Sequence, residues 1–145
     1  MYTAWCGRPA EDRRIGKGRT MKLKVLPYDL TVCKVSGIAD IDLDAAFYFI
    51  GRTDEELSLV CRTRDAPRNT LAREDGWRGF RIDGVLDFSL VGILSKLSSL
   101  LADSGIGIFA VSTFNTDYIL VRSENLGRAM AVLAAAGYET EELPA

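Results

Sequence analysis

The chain has no histidine among its 145 residues. Without an imidazole it lacks the usual general base, the usual triad member and the commonest transition-metal ligand. Cysteine is scarce too. Cys6, Cys33 and Cys61 stand too far apart for a C-x-x-C metal or redox motif, and an odd number without a secretory signal is the pattern of reduced cytoplasmic thiols. No catalytic residue, metal site or cofactor is therefore expected. The sequence also lacks any apolar run near the roughly 20 residues of a membrane span. Its longest, around Leu86 to Leu101, is broken by Asp87, Ser89, Ser95, Lys96 and Ser98, so no membrane partner is expected. Finally, there is no basic stripe: 18 Lys and Arg stand against 20 acids. Phosphate neutralisation supplies most nucleic-acid affinity, so a nucleic-acid partner is not expected either.

What is present is the composition of a soluble globular protein, 48% hydrophobic and 26% charged, long enough for one compact domain or two small units. Residues 1–20 stand apart, with five Lys or Arg against two acids and no periodicity. They are expected to be a disordered extension outside the fold. From Met21 the aliphatic runs "KLKVL" and "DLTVCKV" read as strands separated by Pro27. "AFYFIG" and "ELSLVCR" flank "RTDE" as a hairpin, and Thr63 to Gly76, "TRDAPRNTLAREDG", reads as a linker or short helix.

From Trp77 the pattern sharpens. Phe80 and Ile82 alternate with Arg81 and Asp83 at the period of a half-buried strand. Leu90, Val91, Ile93, Leu94, Leu97, Leu100 and Leu101 then recur at helical spacing, with Asp87 or Ser89 as start and Gly105 as stop. "IGIFAVST" and "DYILVR" supply two strands; Ser123 caps a second helix with Leu126, Ala129, Met130, Leu133 and Ala136 on one face, and Gly137 ends it. "YETEEL" is an edge strand whose Glu residues discourage edge pairing. Residues 77–145 thus read β-α-β-β-α-β, the α+β ferredoxin-like arrangement. Residues 21–76 repeat it in abbreviated form, since "FYFIGRTDEELSLVCR" resembles "FAVSTFNTDYILVR". Thr53-Asp54 then matches Thr116-Asp117 at a spacing of 63, and "SGIADIDLDAA" replaces the long helix.

The fold alone does not choose a function. An RNA-recognition role would want paired aromatics beside basic residues, whereas the candidate inner strand offers Phe80 and the neighbouring run Phe109 without that pattern. A phosphate-binding enzyme would want an Arg in the loop after the first strand, but "DGVLDFSLVG" has neither Arg nor Lys. The loop "LDFSLVG" does lead into a helix N-terminus, whose free amides suit a carboxylate. Gly92, inside the helical pattern, costs about 1 kcal/mol against Ala, which favours close backbone or ligand approach. If two such sheets pack side by side, the "STFNTD" insert of one unit can face this loop and would add Asp117 for an ammonium or other cation, with Phe88 or Phe114 as apolar wall. Together these outline an amino-acid site.

The stretch "GWRGFRIDGVLDFSLVGILSKLSSLLADSGIGIFAVSTFNTDYILV" resembles the ACT-domain family, and the likeness runs more loosely from Met21 to Leu143. In particular it is similar to stand-alone bacterial proteins with two tandem ACT-like units, close to the ACT units of aspartate kinases and of the eukaryotic cytosolic arginine sensor. The resemblance implies a non-catalytic, cytoplasmic, dimeric regulator that binds an amino acid or similar small molecule at an interface between ACT units. It also implies a site: Phe88, Ser89, Leu90, Val91 and Gly92 as the loop holding the carboxylate, and Thr113, Phe114 and Asp117 lining the pocket. The usual pattern has an acidic residue and a proline before the glycine, where this chain has Ser89 and Val91. The alternative is a ligand-free module that dimerises or docks on an enzyme or regulator.

Overall fold

The computed structural model describes residues 21–83 and 92–145, so the expected N-terminal extension, residues 1–20, lies outside the description. In chain order the strands are β1 (Lys22–Val25), β2 (Leu30–Lys34), β3 (Tyr48–Arg52), β4 (Leu57–Arg62), β5 (Ala72–Asp83), β6 (Phe109–Ser112), β7 (Asp117–Arg122) and β8 (Glu139–Glu142). Two helices, α1 (Ile93–Asp103) and α2 (Leu126–Ala135), complete the regular structure. The chain divides into two units: the residues up to Pro27 with Gly79–Ala145, and Tyr28–Arg78 between them.

The larger unit has the strand order β8-β1-β5-β7-β6. Its register explains its core. Leu23 opposes Ile82 and Val25 opposes Phe80, and alternation puts these four side chains on one face. They join Ile119 and Val121 of β7, Leu97 and Leu101 of α1, and Ala129 and Leu133 of α2 in one buried cluster. Both helices therefore cover the same sheet face, as in a ferredoxin-like fold. Each helix ends alike. The Ile106 amide reaches the Leu101 carbonyl and Tyr138 that of Leu133, while Gly105 and Gly137 bond to Ala102 and Ala134. Glycines at φ 73° and 102° make that double closure possible, because its left-handed residue disfavours a Cβ.

The smaller unit has four strands in the order β3-β4-β2-β5, and both helices are missing. Three-residue 3₁₀ turns, Ile38–Asp40 and Thr63–Asp65, stand in their places. The sheet face that a helix would cover is closed by the crossover itself, with Ile41 buried beside Cys33, Val35, Leu57, Leu59 and Cys61. The abbreviated unit foreseen from the sequence is thus a ferredoxin-like sheet without helices.

Three expectations about the strands and the division of the chain differ from the structure. The sequence pattern divides the units at residue 76, whereas Met21–Pro27 go with Gly79–Ala145, because β1 lies between β5 and β8. The segment from Thr63 to Gly76 has the pattern of a linker or short helix, but from Ala72 it is the first half of β5, paired with β2. The repeat spacing is 60, not 63. Arg52 opposes Leu57 as Ser112 opposes Asp117, and the Thr53 amide bonds to Glu56 as the Thr113 amide bonds to Thr116. Thr53 therefore matches Thr113, and Asp54 matches Phe114.

Candidate functional site

The hairpin turn Thr113 to Thr116 connects β6 to β7 at the end of the sheet where β5 finishes. Thr113 closes it: its hydroxyl donates to the Thr116 carbonyl at 2.9 Å and accepts from the Thr116 amide at 3.3 Å. That hydroxyl has spent its only proton inside the turn and can offer a ligand no more than a lone pair. Phe114, at the tip, is 83% exposed. It is not core packing. The Thr116 hydroxyl donates to the Ile82 carbonyl at 2.6 Å, which ties the turn to the last residues of β5.

Asp117 opens β7, half-buried and opposite Ser112. Alternation places it on the face of Ile119 and Val121, the face covered by the helices. It thus stands on the helix side of the sheet, at the end where the chain leaves β5 and re-enters as α1.

Phe88, Ser89, Leu90 and Val91 lie outside the described residues. Gly92 is described, and its place in the helical pattern differs from the expected one. It is the N-cap of α1, not an interior residue, with φ 90° and ψ 8°. Among the described residues nothing stands within 4 Å of a Cβ built on it, and its positive φ is by itself a reason for glycine here. The helix accordingly starts at Ile93, later than Asp87 or Ser89 would start it, because a left-handed residue cannot continue a right-handed helix. A second consequence matters more. Glycine has no side chain with which to cap, and the first helical bond runs from the Lys96 amide to the Gly92 carbonyl at 2.8 Å. The amides of Ile93, Leu94 and Ser95 precede that bond and point out of the helix end, where the dipole favours an anion. The helix-end amides expected from the sequence thus lie at Ile93 to Ser95, whereas Thr116 is not among the expected residues, although a polar residue directly before a strand is its available sign.

The smaller unit offers no equivalent. With a three-residue turn in place of α1, it has no helix N-terminus to present. Its polar groups are engaged with one another. Buried Thr31 donates to Asp75 at 2.7 Å, and its oxygen lies 2.9 Å from Thr63 Oγ1, which must then be the donor. The Thr31 bond first, and the Arg73 bond second, hold the Asp75 carboxyl below the usual range. Cys33 and Cys61 are buried thiols. Desolvation foremost pushes Cys61 up to about 12, so at neutral pH it is held as the neutral thiol. Among the described residues no three His, Cys, Asp or Glu could hold a metal ion, and no helix is long and apolar enough to cross a membrane. An open hollow lined by Leu126, Met130, Thr140, Glu141 and Glu142 lies at the β8 edge, away from the turn.

Known proteins match this arrangement. A family model described as the ACT domain matches residues 72–135. The crystal structure of protein Atu0741 from Agobacterium tumefaciens is 34% identical, covers 88% of this chain and 97% of its own, and superposes with a TM-score of 0.77. VC0802 from Vibrio cholerae, a protein of unknown function described as a possible transport protein, is 22% identical over 80% of this chain and 89% of its own, with a TM-score of 0.63. The regulatory subunit of aspartate kinase from Thermus thermophilus shares the fold, at 12% identity over 83% of this chain and 99% of its own, with a TM-score of 0.52. No curated protein sequence matches.

Proposed function

The chain belongs to the ACT-domain family, and on that premise we propose that it is a non-catalytic, cytoplasmic regulatory protein that binds a free amino acid at an interface between ACT units. The observation that carries this reading is that, at one end of the larger unit, an α1 N-terminus with no side-chain cap among the described residues coincides with the half-buried Asp117. An α-amino acid carries the complementary pair of charges. Its carboxylate suits the amides of Ile93 to Ser95 and the loop Phe88 to Gly92, and its ammonium or a cationic side chain suits Asp117. Thr113 and Phe114 form the wall of this site. Binding regulates by stabilising the occupied arrangement of the units, which a partner then reads.

The experiment is a thermal-shift screen of the full-length protein against the twenty amino acids. At least one should raise the melting temperature, and Asp117→Ala should abolish the rise. Stabilisation that survives Asp117→Ala would remove Asp117 from the site.

A second reading, a ligand-free interaction module, draws on β6. This strand pairs with β7 alone among the described strands, and its residues Phe109 to Ser112 carry no charge, although charge is the usual guard against edge pairing. A dimer whose melting temperature no amino acid moves would favour this reading.

A further inference from the structure

Thr116 makes two kinds of bond in the turn beside Asp117. Its carbonyl accepts from the Thr113 amide and hydroxyl, both at 2.9 Å. These bonds only shape the turn. Its own hydroxyl reaches the Ile82 carbonyl at 2.6 Å, across 34 residues of sequence. Ile82 is 1% exposed and fixed between β1 and the core, so its carbonyl is an immobile anchor.

The matching turn of the smaller unit separates the two roles. There the Thr53 amide bonds to the Glu56 carbonyl at 2.9 Å, and the Thr53 hydroxyl accepts from the Glu55 and Glu56 amides. Glu56 occupies the Thr116 position in that turn. Its ionised carboxylate cannot donate to a carbonyl. Closing the turn therefore needs no hydroxyl at this position, whereas tying it to the neighbouring strand does. Only the unit with a helix N-terminus has the tie.

We propose that Thr116 is a positioning residue of the ligand site: its hydroxyl fastens the turn to the end of β5 and so holds Asp117 in register with the N-terminus of α1. The inference rests on the site reading given above and adds to it a residue that touches no ligand. A carboxylate at a strand end swings with its turn, and simultaneous recognition of an ammonium and a carboxylate demands a fixed spacing.

The test uses full-length Thr116→Val, which keeps the shape and removes the hydroxyl, and Thr116→Ser, which keeps the hydroxyl. Two measurements are made: amide hydrogen exchange at Thr113 and Asp117, and thermal shift with the panel of twenty amino acids. Thr116→Val should speed exchange about tenfold, the equivalent of one hydrogen bond, and weaken apparent amino-acid affinity by about tenfold, while Thr116→Ser restores both. Unchanged exchange in Thr116→Val overturns the proposal whether or not a ligand is known. Faster exchange with unchanged affinity overturns it too, since the tie would then position nothing. A wild-type protein blind to the whole panel overturns the amino-acid reading and this role with it, and is recognised because the exchange response to the substitution persists.

Discussion

The Cys61 thiol shows how a single side chain reports on the smaller unit. It lies on the inner sheet face with Cys33 and Leu59, and desolvation, then the neighbouring Cys33 and Asp65, push it from 9.0 to about 12. Between those values the unfolded chain has released the proton and the folded chain still holds it. Stability is thus full below pH 9 and falls as pH rises towards 12. The expected result is a urea midpoint that declines over this window, with a shallower decline in Cys61→Val; equal slopes would mean that the thiol is not desolvated. Among the site residues, Asp117 and Thr113 were legible as polar residues between two apolar strands, which is the mark of a hairpin turn. Their division of labour was not. Whether a hydroxyl closes a turn or faces a ligand depends on where its proton goes, and composition does not record that. Gly92 teaches the converse: its place in the helical pattern hid a positive φ that begins the helix instead of continuing it.

At the scale of elements, the two helices were the most readable part of the chain because their apolar positions recur at 3.6 residues and a glycine closes each. Leu133 lies at the middle of the face that α2 buries, fully enclosed with Leu97, Leu101 and Val121. Leu133→Ala should destabilise the protein by about 2–5 kcal/mol, measured by urea denaturation. Leu126→Ala, at a half-buried position that lines the open hollow by β8, should cost distinctly less. A reversed order would mean that α2 is packed otherwise. The strand β5 was only half legible. Gly79 to Asp83 alternate as a half-buried strand should, whereas Ala72 to Gly76 are exposed and polar. Their strand state comes from backbone pairing with β2, at Lys34–Ala72, Cys33–Arg73 and Val32–Glu74, and backbone hydrogen bonds leave no trace in side-chain polarity.

For the whole molecule, the proposed reading predicts a dimer. Light scattering should give twice the chain mass of 15.9 kDa, and a concentration-independent single-chain mass would exclude a site shared between copies. The smaller unit has no helix N-terminus, so calorimetry should find one amino acid bound per chain; two per chain would place a site in the smaller unit as well. Local pattern was enough for the α+β class, both hairpins, both helices and the abbreviated first half, since each is a property of residues within about a dozen positions of one another. Partner choice was not. That β1 lies parallel to β8, with Leu23 beside Thr140, and antiparallel to β5 joins residues more than a hundred positions apart in one case and nearly sixty in the other. The spacing of 60 in the internal repeat, the start of β5 at Ala72 and the tie from Thr116 to Ile82 are decided in the same way. Each is a choice among strand or hydroxyl partners that the chain could equally have offered elsewhere, and it is settled only when burial of the common core selects one register over the others.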